Sequence, residues 1–231
     1  MSKLDFCIVI PVFNEEKIIL DVIDKALKFS KNYKFKIIIV NDGSTDSTKK
    51  VLSKIKKKKV IVLHKKNEGH GKAIIIGYKK AIKLKPKFIL QADSSDKISF
   101  KEFKKLIIFK NHFDFIEGNR KNRNDPLYRI FISFILRSII ILLFGQYVVD
   151  PNCPLRISRT NFLKNVIHAV SFSDIPNILI SIHAINKKVY KSVDIIHQKR
   201  QIGSSIKYFK LLKLCLVAFL DILKFKFLKS D

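Results

Sequence analysis

The sequence predicts an α/β protein built on a mostly parallel sheet. Three observations carry this. Short, largely apolar runs recur through the first half, at residues 6–10, 35–40, 60–63, 88–91 and 113–117. Segments with helical spacing fall between them, at 17–29, 47–56, 71–83 and 100–110, as in βαβ units. Two of the apolar runs end in acidic, amide-bearing tips, Pro11-Val12-Phe13-Asn14-Glu15-Glu16 and Asn41-Asp42-Gly43-Ser44-Thr45-Asp46-Ser47-Thr48. Such tips are strand-to-loop-to-helix corners with a polar mouth, and open α/β sheets bind ligands at the carboxyl ends of their strands.

Taken in order, the run at 6–10 begins the sheet and feeds the first acidic corner. The second run, 35–40, is buried on both faces by its composition, and Thr45-Asp46-Ser47 offers caps for the helix that follows. The third run leads to Gly69-His70-Gly71, which opens the third helix. Pro86 then separates that helix from the fourth strand, which ends in Gln91-Ala92-Asp93-Ser94-Ser95-Asp96. The fifth run ends in Glu117-Gly118-Asn119-Arg120.

The second half changes character. Residues 128–149 form a long apolar pattern interrupted by Arg129, Ser133, Arg137 and Gly145, and its uninterrupted part is shorter than the ~20 residues a bilayer crossing needs. Residues 208–228 are apolar but carry Lys210, Lys213, Asp221, Lys224 and Lys226. Both read as helices with a basic edge that suit the surface of an anionic membrane. The same faces also suit packing on the core or a homo-oligomer contact.

The 231 residues, 47% hydrophobic, suffice for one full core. The net charge of +27, from 46 Lys and Arg against 19 Asp and Glu, favours an anionic partner such as phosphates or an anionic membrane face, although lysines spread along a whole chain also serve simply as solvated surface. Cys7, Cys153 and Cys215 form no disulfide or zinc spacing, which suits a reducing cytosol. The chain enters its first strand almost at once, leaving no room for a signal peptide.

The ordered set of corners, continued by Asn67-Glu68-Gly69-His70-Gly71-Lys72-Ala73, Asp150-Pro151-Asn152-Cys153-Pro154-Leu155-Arg156 and Arg200-Gln201-Ile202-Gly203-Ser204-Ser205, resembles the family-two branch of the GT-A glycosyltransferases. The likeness is greatest to dolichol-phosphate mannosyltransferases and other polyprenyl-phosphate glycosyltransferases. It covers nearly the whole chain. It implies a Rossmann-like, three-layer α/β/α domain over 1–207, with an amphipathic, membrane-associating helix at 208–231.

The resemblance also implies roles. Pro11 and Phe13 would wall the nucleotide base, with Phe13 standing where the family often has Tyr. Glu15 and Asp42 would accept hydrogen bonds from base and ribose, charged acceptors making the stronger bonds. Gly69 and Gly71 would let the backbone of a helix N-terminus approach an anion. His70 reads as a surface or packing histidine. Asp93 lies where the family keeps an Asp-x-Asp motif holding Mg²⁺ or Mn²⁺. Two registers are open. In one, preferred from the following Phe100-Lys101-Glu102-Phe103, Asp93 is the first acid and Ser95 replaces the second; in the other, Gln91 replaces the first. Asp96 offers a nearby carboxylate, or merely an acid at a helix start. Arg120, Arg129, Ser133, Arg200 and Ser205 would contact phosphates of donor or acceptor, for which guanidinium groups are suited. Ile206 occupies the place of a usual Lys, and Lys207 follows. Asp150 is either a general base for an acceptor hydroxyl or a structural cap.

The activity implied is transfer of a sugar from a nucleotide-sugar donor to a polyprenyl phosphate or lipid-linked acceptor. It would proceed with inversion, at the inner face of the cell membrane, in a peripheral protein. Two rivals remain, transfer to a saccharide hydroxyl in envelope polysaccharide synthesis and a non-catalytic nucleotide-sugar-binding protein with a degraded Asp-x-Asp. Nucleic acid is not expected as a partner, because the aromatics do not interleave with basic stripes.

Overall fold

The computed structural model describes residues 4–94, 100–121, 127–151, 153–196 and 208–228, with the side chains of 127–131 and 208–214 excepted. A seven-stranded sheet runs β3-β2-β1-β4-β6-β5-β7, from β1 (Phe6–Val12), β2 (Phe35–Asp42), β3 (Val60–Lys65), β4 (Phe88–Gln91), β5 (Phe115–Lys121), β6 (Arg156–Arg159) and β7 (Tyr190–Ile196). Only β6 runs against its neighbours β4 and β5. The parallel strands place their carboxyl ends along one edge. The strand order reverses between β1 and β4, which makes that gap the switch point where α/β sheets bind ligands.

The sheet alternation sorts its apolar residues into two cores. Phe6, Ile8, Ile10, Ile37 and Ile39 face α1 (Ile19–Phe29), α2 (Thr48–Ser53) and α4 (Phe103–Ile107). Cys7, Val9, Ile38 and Val40 face α3 (His70–Lys83), α6 (Thr160–Val170) and α7 (Pro176–Asn186), with α5 (Leu127–Phe144) and α8 (Tyr208–Phe227) adding Leu136, Ile140, Ile222 and Phe225. The result is the expected α/β/α sandwich. In α1, Ile19, Val22, Ile23 and Ala26 are buried, the i, i+3, i+4, i+7 stripe of a helix lying on a sheet. Burial pushes the Cys7 thiol up to about 12, the state of an inert core residue.

Several boundaries differ from expectation. β1 and β2 continue to Val12 and Asp42, so Pro11 and Asn41 are still paired, Pro11 with Val40. Helix α1 starts at Ile19 instead of residue 17, because Asn14 adopts φ 56° and the Glu15 carbonyl closes a separate turn on the amides of Ile18 and Ile19. The fourth helix is a 3₁₀ turn (Phe100–Glu102) running into a short α4. Strands β6 and β7, and helices α6 and α7, were not anticipated. Gly145, with φ 62°, follows the end of α5.

α8 packs on α5 and is tied to the α6–α7 connection. Its Asp221 carboxylate accepts the Ser173 hydroxyl at 2.7 Å and the Asp174 amide at 2.8 Å. No helix among the described residues is long and apolar enough to cross a membrane.

Candidate active site

The first two strand ends are laced together. The Asn14 amide donates to Ser44 Oγ at 3.0 Å, and Asn14 Oδ1 accepts the Thr45 amide at 2.8 Å. The Glu15 amide donates to Thr48 Oγ1 at 2.9 Å. Asp46 accepts the amides of Glu16 and Thr48, and Glu16 in return accepts the Ser47 amide at 2.7 Å. Partial burial opposes the Asp46 charge, but the Thr48 hydroxyl and these amides outweigh it and hold the carboxyl below its ordinary value. The cap for α2 therefore comes from Asp46, while Ser47 occupies the cap position without a side-chain bond. Asn41 Oδ1 accepts both the amide and hydroxyl of Ser44. Most of the hydroxyls in the Asn41–Thr48 motif thus shape the corner.

On this frame Pro11 is buried at the end of β1, while Phe13 is 43% exposed at the rim. Glu15 is half-buried beside it. Asp42 is 4% exposed and accepts three donors: Lys65 Nζ, the Glu68 amide at 3.1 Å and the Gly69 amide at 2.9 Å. A carboxylate has about four acceptor sites, and these three donors occupy three of them. Burial works against the Lys65 charge, yet Asp42 and Glu68 hold Lys65 above its ordinary value. Lys65 was missed in the sequence, where nothing separates it from its many lysine neighbours.

The two glycines have different tasks. Gly69 takes φ 98° and ψ 159° at the cap of α3, and a Cβ there would meet nothing within 4 Å, so the space over it is open. Gly71 is buried, and its Cβ would lie 2.1 Å from the Asp174 carbonyl oxygen. Its smallness admits a neighbouring loop. Lys72 fastens the same contact from the other side by donating to the carbonyls of Ser171 and Phe172.

Asp93 follows β4 at the switch point, and its Oδ1 is sealed from solvent without a hydrogen-bond partner among the described residues. His70 Nε2 stands 3.6 Å away. Gln91 is fully buried and its Oε1 accepts the Tyr78 hydroxyl. Its Nε2, like Asp93 Oδ1, is buried without a hydrogen-bond partner among the described residues. Ser95 and Asp96 lie outside the described residues, as do Arg200 and Ser205. Among the described residues no three His, Cys, Asp or Glu side chains cluster as a metal cage. An orphaned, buried carboxylate oxygen at a strand end is nonetheless the donor a hard divalent cation takes.

Arg120 and Asp150 form a bidentate pair, Nε to Oδ2 at 2.7 Å and Nη2 to Oδ1 at 2.8 Å, with the Arg120 amide also donating to Oδ2. Asp150 is 3% exposed. The guanidinium engages Asp150 at both oxygens, an arrangement that fixes the orientation of both side chains. Ser133 is buried in α5; Arg129 lies in the same helix, with its side chain outside the described set. Below them Arg156, 1% exposed, reaches Glu117 Oε1 at 2.7 Å, Ser181 Oγ and the carbonyls of Pro151, Cys153 and Asn177. It bolts the Asp150 loop to the sheet.

A cavity lined by Asp5, Tyr33, Lys87 and Lys110 lies at the opposite edge of the sheet, by the amino ends of β1 and β4, and holds none of these residues.

A mixed sheet of this order, with acid-bearing strand ends gathered at its switch point, is the architecture of the GT-A glycosyltransferase fold. The glycosyl transferase family 2 model matches residues 7–152, and the chain belongs to that family. It is 34% identical over 171 residues to an uncharacterised protein of Methanocaldococcus jannaschii, covering 68% of this chain and 73% of that one. It is 31% identical to the UDP-N-acetylglucosamine–dolichyl-phosphate N-acetylglucosaminyltransferase of Methanococcus voltae, covering 68% and 70%. With an undecaprenyl-phosphate 4-deoxy-4-formamido-L-arabinose transferase of Pectobacterium carotovorum the identity is 27%; the match covers 90% of this chain but only 64% of that enzyme's length. Among solved structures, glucosyl-3-phosphoglycerate synthase of Mycobacterium tuberculosis, in complex with Mn²⁺ and UDP, superposes with a TM-score of 0.74 at 13% identity. That match covers 96% of this chain and 80% of the other, and it shows the shared fold.

Proposed function

We propose that this glycosyltransferase moves a sugar from a nucleoside-diphosphate sugar to a polyprenyl phosphate or lipid-linked glycan at the cytoplasmic face of the membrane, with inversion at the anomeric carbon. The observation that carries the donor half is Asp93, whose unpartnered buried oxygen lies at the switch point between the first and fourth strands. Asp93 would hold Mg²⁺ or Mn²⁺, which when bound supplies charge to neutralise the leaving diphosphate. Phe13 and Pro11 wall the base, and Glu15 together with the remaining acceptor site of Asp42 takes donors from base and ribose. Gly69 opens the backbone of α3 to the diphosphate.

The acceptor half rests on the Arg120–Asp150 pair and on the relatives' names. A phosphate acceptor is already an anion. Its oxygen forms the new bond to the anomeric carbon as the bond to the diphosphate oxygen breaks, and no proton need be removed. A saccharide hydroxyl would need a base, and Asp150 is committed to Arg120. Arg120, Arg129, Ser133, Arg200 and Ser205 would gather the phosphates, whose developing charges they stabilise.

Contact with an anionic membrane is supported by α5 and α8. Leu142 is 84% exposed, Phe227 is 70% exposed, and Phe134, Leu216 and Leu220 are also open, with Lys224 and Lys226 on the surface of α8. Apolar side chains edged by lysines are the composition of an interfacial surface.

The test incubates purified protein and Mg²⁺ or Mn²⁺ with a short polyprenyl phosphate and a panel of UDP- and GDP-sugars. Metal-dependent nucleotide release coupled to a glycolipid product is expected, with Asp93→Ala folded but inactive. Tight nucleotide binding without turnover on any acceptor would instead leave a binding protein. Unchanged turnover in Asp93→Ala would remove the metal assignment.

A further inference from the structure

We propose that His70 is a second protein ligand to the divalent cation at Asp93, taking the place of the acid that the chain's incomplete Asp-x-Asp lacks. The inference rests on the donor-site reading above and adds a ligand from a different strand end.

Three observations converge on it. Asp93 Oδ1 is sealed from solvent and has no hydrogen-bond partner among the described residues, an arrangement folded proteins avoid unless a further group completes it. His70 Nε2 stands 3.6 Å from that oxygen. That is too long for a hydrogen bond, but two donors each about 2.1 Å from a shared ion stand roughly 3.0 to 3.6 Å apart at neighbouring coordination positions. The imidazole is also carried on fixed backbone. His70 is the first residue of α3; the Gly69 amide before it is held by Asp42 at 2.9 Å, and Gly71 after it is packed against the Asp174 carbonyl. A ligand on so constrained a turn loses little freedom on binding.

Oδ1 itself is sealed, but the His70 side chain is 58% exposed and the Asp93 side chain 34% exposed, so diphosphate oxygens and waters would complete the shell from the His70 side. A nitrogen donor also changes the choice of ion. Imidazole suits first-row transition metals better than Mg²⁺, which keeps to oxygen. The site should therefore prefer Mn²⁺ over Mg²⁺ by more than a carboxylate-only site does, and His70→Ala should reduce the preference to that of the carboxylate alone.

The full chain is loaded with Mn²⁺ in the presence of UDP or GDP, and pulsed electron paramagnetic resonance reads nitrogen coupled to the ion. Titration calorimetry gives the Mn²⁺ affinity. Wild type should show a directly bound nitrogen, shifted by ¹⁵N-histidine labelling. His70→Ala, at an exposed position and checked for an unchanged melting temperature, should lose that signal and bind Mn²⁺ at least tenfold more weakly while still binding the nucleotide. Nucleotide and Mn²⁺ binding without coupled nitrogen in wild type overturns the His70 assignment and leaves the donor site standing. A nitrogen signal that persists in His70→Ala also overturns it. Failure to bind either nucleoside diphosphate, with or without Mn²⁺, overturns both.

Discussion

Gly69 and Gly71 stand two residues apart in one motif, yet the structure predicts different outcomes when each becomes alanine. At Gly71 the new Cβ would lie 2.1 Å from the Asp174 carbonyl oxygen and 2.8 Å from Pro176 Cδ. Reaching even 3.0 Å from that oxygen requires a shift of 3.0 − 2.1 = 0.9 Å, and the obstacle is backbone that cannot rotate aside. The loop is also pinned, since Asp174 donates its amide to Asp221 and Ser173 Oγ accepts the Ile175 amide. Overpacking of this kind costs about 1–3 kcal/mol, which in a domain of this size lowers the melting temperature by roughly 2–4 °C per kcal/mol. Gly69→Ala meets open space but forces a methyl onto φ 98°, a strain of about 1–3 kcal/mol. It also places that methyl where the diphosphate would approach. The assay is paired: thermal or urea midpoints, and UDP and GDP affinity by calorimetry. Gly71→Ala should lose stability and keep most of its nucleotide affinity once folded, whereas Gly69→Ala should lose at least tenfold in affinity. A Gly71→Ala variant with the wild-type midpoint and abolished nucleotide binding would refute the packing argument and return Gly71 to the ligand.

Three further outcomes are expected. Asp150→Asn leaves the half-buried Arg120 without its carboxylate and should lower stability and weaken the phosphate acceptor mainly through KM, with the pH–rate profile unchanged; loss of the acidic limb together with a kcat loss of about 10³ or more would make Asp150 the base. Burial raises Glu117 to about 7 although Arg156 pulls the other way, so the native state keeps its proton where the unfolded chain has lost it. The stabilisation is full below about 4.5 and is lost as pH rises towards 7. Glu117→Gln removes the anion facing the buried Arg156 and should be less stable overall, but its melting temperature should lack the wild-type decline between about pH 4.5 and 7, and parallel curves would sink the argument. Leu142→Glu combined with Phe227→Glu should cut sedimentation with anionic vesicles at least tenfold, because two apolar side chains worth about 2 kcal/mol each no longer enter the interface; undiminished sedimentation would move the membrane contact elsewhere.

What could be read from the chain followed burial. Strands β1 and β2 are covered on both faces, so Phe6–Val12 and Phe35–Asp42 are nearly continuous apolar runs ending in acids, and such runs declare a parallel strand without periodicity. Strand β6 has arginine at both ends, and Arg156 is buried only because Glu117, Ser181 and three carbonyls meet it. No local pattern foretells that. Strand β7 sits at the sheet edge, and its Tyr-Lys-Ser-Val-Asp-Ile-Ile mixes polar and apolar residues as an edge permits. Helix α7 is apolar around most of its circumference, since Ile178, Leu179, Ile180, Ser181 and Ile182 are all buried, which removes the stripe that would have marked it.

The site follows a different rule, because residue type marks polarity without saying what the polar group faces. The Asn41–Thr48 segment is the plainest functional signal in the chain, yet Asn41, Ser44, Thr45, Asp46 and Thr48 all hydrogen-bond within the two corners. Asp42 is three-quarters satisfied by its own neighbours. That lacing is what a rigid donor pocket requires, since groups held before the ligand arrives need not be ordered by it. It also means the reactive surface must be sought where satisfaction fails. Among the described acids of the motifs, Asp93 is the one with a buried oxygen left unmet. It stands at the switch point, next to the one histidine that lies between the two glycines, Gly69 and Gly71. A pattern search weights all these acids alike. The hydrogen-bond accounting separates the acids satisfied within the corners from the one whose buried oxygen has no partner among the described residues, and it directs the first substitutions to Asp93 and His70.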